Sequence, residues 1–69
     1  MIILLGDYIR IETTRAIDVG MVEGMFVVSV NLKVVATYPD IADVMRDIEK
    51  RVRLDSFDRG VLANLLQKI

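Results

Sequence analysis

The chain is 69 residues long and contains neither cysteine nor histidine. That length allows one domain, and the missing residue types exclude disulfide staples, thiolate metal sites and histidine-based proton transfer. Net charge is −1, with acids and bases balanced in both halves, so neither half has the cationic excess of a simple phosphate binder.

The composition is 54% hydrophobic with a mean hydropathy of +0.45. A chain of this size buries only about 60% of its unfolded surface. Such richness without a staple predicts an apolar patch covered by a second chain, against the alternative of a monomer with a crowded core.

Met1 to Leu5 is a short apolar run, as in a fully buried strand. It lacks a basic leader and stops at Gly6-Asp7, which argues against a signal peptide. No apolar run approaches the roughly 18 residues needed to span a bilayer. The expectation is a cytoplasmic, unprocessed protein without membrane contact.

Gly6-Asp7 fits a two-residue hairpin turn with glycine first. Tyr8 to Thr14 alternates, with Ile9, Ile11 and Thr13 on one side and Tyr8, Arg10, Glu12 and Thr14 on the other. Arg15 to Asp18 reads as a connection and Val19 to Val22 as a short strand, where Gly20 would mark a bulge. Glu23-Gly24 makes the next turn. Met25 to Tyr38 is apolar on both sides, with Phe26, Val28 and Val30 opposing Val27 and Ser29, and Val34 and Ala36 opposing Val35. A sheet with one wet face alternates apolar with polar, so both faces of this one call for cover. Asn31-Leu32 divides the stretch into a hairpin, although leucine is unfavourable at positive φ.

Pro39 ends the strand region. Asp40 is placed to cap a first helix, with Asp43 in a capping-box-like position. Ile41, Val44, Met45, Ile48 and Val52 form its apolar stripe. Asp47 with Arg51 and Glu49 with Arg53 are pairs four apart. Asp55 or Ser56 would cap a second helix with a broad stripe of Phe57, Val61, Leu62, Leu65, Leu66 and Ile69. Gly60 inside it predicts a close approach to a neighbouring element. Strands first and helices last define an α+β domain over residues 1–69. Its small antiparallel sheet of four to five strands (1–38) carries two helices (about 40–53 and 56–68) on one face.

Catalytic signals are weak. Ser29 and Ser56 lack a base and a nucleophile elbow. Asp40, Asp43 and Asp47 share one helical side and could gather Mg²⁺, but Arg46, Lys50 and Arg51 are close enough to neutralise them. A solvated, dipole-matched helix face is the preferred reading. No cofactor, metal or catalytic residue is expected, and an enzyme ranks last.

The segment V-S-V-N-L-K-V-V-A-T-Y-P-D-I-A-D-V-M-R-D-I-E-K-R-V-R resembles a pattern in small uncharacterised phage and mobile-element proteins. There a hairpin ends in an aromatic residue before a capped amphipathic helix, loosely V-A-x-Y-x-S-L-E-E-A-M-x-x-I. The opening G-D-Y-I-R-I-E resembles the first strand pair of such proteins, so the likeness covers residues 1 to about 53. Leu32 stands where glycine is usual, and Pro39-Asp40 where serine or threonine often caps. The resemblance implies a viral or mobile-element origin and, by association, action on a host or anti-defence target.

The expected function is therefore a non-enzymatic interaction protein, a homo-oligomer and first of all a dimer, that binds a host protein. Candidate partner contacts are Tyr8, Arg10, Glu12, Tyr38, Asp43, Arg46, Asp47 and Lys50. Candidate oligomer contacts are Val27, Val28, Val34, Val35, Leu62, Leu65, Leu66 and Ile69. A nucleic-acid-binding regulator using Arg46, Lys50, Arg53 and Arg59 is a second reading, disfavoured by the charge balance. An oligomer sequestering a small ligand is a third.

Overall fold

A computed structural model describes residues 1–69. Five antiparallel strands, β1 (Ile2–Leu5), β2 (Tyr8–Glu12), β3 (Ala16–Val22), β4 (Met25–Val30) and β5 (Lys33–Tyr38), form one sheet in the order β1-β2-β3-β4-β5. Two helices follow, α1 (Ile41–Arg51) and α2 (Ser56–Leu66). The protein is an α+β domain with both helices on one sheet face.

The meander follows from its turns. Gly6 has φ +65°, as a glycine in the first central turn position requires. Glu23-Gly24 and Asn31-Leu32 both place two residues at positive φ, the geometry that matches the right-handed twist of the flanking strands. Leu32 does this against its own preference, at φ +69° and 81% exposed.

Period-2 alternation then selects the inner face. Ile9 and Ile11 from β2, Ile17 and Val19 from β3, and Phe26 and Val28 from β4 are buried. They meet Val44 and Ile48 of α1, Leu62 and Leu66 of α2, and Leu54 between the helices. Ile41, Met45 and Val52 pack partly buried around them. α1 lies against β4 and β5, and α2 against β1.

Several sequence expectations are corrected. β3 begins at Ala16, so Arg15 to Asp18 is not a connection: Ile17 and Asp18 pair with Ile11 and Arg10 of β2. Gly20 pairs regularly with Val27. The irregularity lies instead between β4 and β5, where Val28 faces Ala36 but Ser29 faces Val34, leaving Val35 as the extra residue. Asp40 is the N-cap of α1 but its side chain makes no capping bond. Asp55 does cap α2, accepting from the Asp58 amide at 2.8 Å. Gly60 marks no close approach, since a Cβ there would meet nothing within 4 Å. Glu49 pairs with Arg59 of α2, not with Arg53, and so ties the two helices together.

Candidate functional site

The outer sheet face has no covering layer from this chain. Register builds it in two rows. One runs Ile3, Arg10, Asp18, Ser29, Val34 from β1 to β5. The other joins Leu5 to Tyr8 and Gly20 through Val27 to Thr37, with Tyr8 and Gly20 adjacent across β2 and β3. Val34 is 60% exposed, and Val22 and Val35 are also exposed.

One charge pair interrupts this apolar surface. Arg10 donates from Nε to Asp18 Oδ1 at 2.7 Å and from Nη2 to Oδ2 at 2.9 Å. The bidentate fork fixes the guanidinium flat between neighbouring strands. The Asp18 hydrogen bond raises the Arg10 pKa further, so the guanidinium keeps its charge and sets it directly against Asp18. Ile3 and Ser29 flank the pair in its own row, Tyr8 and Glu12 lie on either side of Arg10 along β2, and Val27 and Val34 lie further across the same face.

A second, polar locus lies where β5 meets α1. Tyr38, Asp43, Arg46, Asp47, Lys50 and Arg51 surround an open depression of about 450 Å³. Asp47 is only 7% exposed. Its carboxylate accepts from the Tyr38 hydroxyl and from Nε of Arg51, with a longer bond from Arg51 Nη2 at 3.4 Å. Burial alone would push the Asp47 carboxyl up, but the hydrogen bonds from Arg51 and Tyr38 and the charges of Arg51 and Lys50 hold it below the usual range. The same hydrogen bond, with burial, raises the Tyr38 pKa. Tyr38 therefore keeps its proton and Asp47 its charge, each committed to the other. The arrangement anchors the end of β5 to α1. It also corrects the view of Asp40, Asp43 and Asp47 as one solvated acidic face, because Asp47 turns inward and Asp43 pairs with Arg46 at 3.0 Å. No group of three or more acidic side chains converges as a metal site would require.

No protein-family model, curated protein or solved structure matches this chain. The site must therefore be read from its own geometry. No helix is long and apolar enough to cross a membrane.

The residues expected from sequence separate into three groups. Tyr8, Arg10 and Glu12 lie on the outer sheet face, together with Val27 and Val34, while Val35 is the exposed bulge residue. Tyr38, Asp43, Arg46, Asp47 and Lys50 gather at the polar depression. Val28, Leu62 and Leu66 are corrected: they are fully buried in the chain's own core and present nothing to a second subunit. Leu65 and Ile69 are half-buried against that core. The Asp47–Arg51 pair expected from the four-residue spacing is present, whereas sequence reasoning missed Asp18 as the partner of Arg10 and Tyr38 as the second partner of Asp47. The alternation of Ala16, Asp18 and Gly20 against Ile17 and Val19 was the available signal for Asp18.

Proposed function

We propose that this chain is a non-enzymatic interaction protein that works as a homo-oligomer and docks on a partner protein through its outer sheet face. The observation that carries the reading is the uncovered face itself, where Ile3, Leu5, Tyr8, Val27 and the exposed Val34 share one surface with the paired charges of Arg10 and Asp18. Partially exposed sheet faces of this chemistry are stabilised by a complementary protein surface. The resemblance of residues 1 to about 53 to phage and mobile-element proteins favours a host or defence-system component as that partner, met in the host cytoplasm.

The cationic side chains near the end of α1 do not favour nucleic acid. Arg46, Arg51 and Arg59 are each held by an acid, leaving Lys50 and Arg53 without an ion pair. Affinity capture with the intact chain, followed by mass spectrometry, tests the proposal. A partner retained by the wild type should be lost with Tyr8→Ala and with Val34→Lys. Capture unchanged by both substitutions, or no capture at all, would overturn the reading.

A further inference from the structure

The oligomeric part of that reading can be given a surface, and the inference rests on it. The structure separates two apolar regions that the sequence could not: the outer sheet face, and the side of the molecule beyond β1. We infer that a second copy of this chain docks on the β1 side, pairing β1 with β1 and setting α2 beside α2.

The strand edge provides the first argument. Met1 and Glu12 exchange both backbone hydrogen bonds, at 3.0 and 2.8 Å. Alternation along an antiparallel ladder then turns the N–H and C=O of Ile2 and Leu4 outward. The two free edges of the sheet differ in protection. β5 carries Lys33, the bulge at Val35 and Pro39 just beyond its end, devices that discourage strand addition. β1 is Ile-Ile-Leu-Leu, with no charge, proline or bulge.

The helix adds a second argument. Arg59 reaches Glu49 of α1, so that flank of α2 faces its neighbour helix. At 100° per residue, Phe57 and Val61 lie on the opposite flank. Since α1 covers β4 and β5 while α2 covers β1, the opposite flank overhangs the β1 edge. Phe57 on that flank is 77% exposed, and Leu4 and Met1 of the β1 edge are also exposed. Phe57, Leu4 and Met1 are all large apolar side chains, and an aromatic such as Phe57 can by itself bury about 150–250 Å² on each copy.

Register follows from the outward groups. With Ile2 of one copy facing Leu4 of the second, every outward N–H and C=O of Ile2 and Leu4 is paired, and Ile3 faces Ile3 on the two-fold axis. A shift by two residues in either direction halves the number of outward residues paired. The product is a continuous ten-stranded sheet, five strands from each copy, whose two outer faces lie side by side as one extended docking surface.

Light scattering and sedimentation of the full chain test this. The wild type should be dimeric at about 100 μM, with dissociation constants raised at least about tenfold by Phe57→Lys and by Leu4→Pro. The proline removes an outward N–H without breaking the β1–β2 ladder, and circular dichroism should report an unchanged fold for Phe57→Lys. The absence of cysteine allows a register test. Ile3→Cys should oxidise to a covalent dimer, because residues facing each other across such a pair lie about 4.5 Å apart. Leu4→Cys should crosslink far more slowly. Val34→Lys should remain dimeric while losing partner capture, so failure of this interface and failure of the outer-face reading are distinguishable. A monomeric wild type, a dimer abolished only by Val34→Lys, or equal crosslinking at positions 3 and 4 would overturn the inference.

Discussion

Replacing Asp47 by alanine tests whether the Tyr38–Asp47–Arg51 cluster secures the sheet to α1. Alanine removes the carboxylate that receives both donors. Breaking a fully buried ion pair costs about 3–5 kcal/mol. Arg51 retains 28% side-chain exposure and can rehydrate, so about 2 kcal/mol is expected. Size alone predicts a total stability of about 3–10 kcal/mol for 69 residues, making this a large fraction. With an m-value of about 1 kcal/mol/M, the urea midpoint should fall by about 2 M. The melting temperature should fall by roughly 10 °C. The pH dependence has a definite sign. The folded Asp47 pKa is lowered, so its contribution is present above the unfolded value near 3.9 and is lost as pH falls through the folded value. Asp47→Asn should therefore show a flatter stability profile below about pH 4 than the wild type. A midpoint change under about 0.5 M for alanine, or superimposable acid profiles for asparagine and wild type, would refute the clamp.

Three further outcomes follow from local geometry. Gly60→Ala should stabilise the protein by up to about 1 kcal/mol, read as a higher melting temperature, because the added methyl meets open space within a helix. Leu32→Gly should stabilise by about 1 kcal/mol in the same assay, since it relieves a left-handed backbone at an exposed tip. Asp55→Ala should cost about 1 kcal/mol through loss of its cap, whereas Asp40→Ala should cost less than about 0.5 kcal/mol because Asp40 makes no capping bond; urea titration of both variants checks the contrast.

The strands and helices were legible because their signals were local. Glycine-bearing turns and clean alternation in Tyr8–Glu12 marked the meander, and Ile41, Val44 and Ile48 marked α1. The sequence reading starts β3 at Val19 because Asp18 is a poor strand former in isolation, and it takes Gly20 for a bulge. Asp18 is stabilised by Arg10 from the neighbouring strand, and Gly20 is held in regular pairing with β4, neither of which local propensity registers. The two-sided apolar pattern in β4 and β5 revealed an uncovered face, but could not say which residues the helices would take. Val27 and Val28 are adjacent and chemically identical. Only the register against Val19 and the position of α1 bury Val28 and leave Val27 outside. Asp47 was misread for a related reason: three acids and three bases at helical spacing look solvated until Tyr38 closes over one of them.

The sequential meander also bears on how the chain acquires its structure. Every strand pairs with its predecessor, so sheet formation requires only short loop closures and can proceed quickly. Synthesis completes the last strand at Tyr38, yet the α2 contribution to the core ends at Leu66. Until the helices dock, the sheet therefore has no cover on either face. A chain ending after Tyr38 should therefore leave its inner face as bare as its outer one and aggregate where the full chain does not.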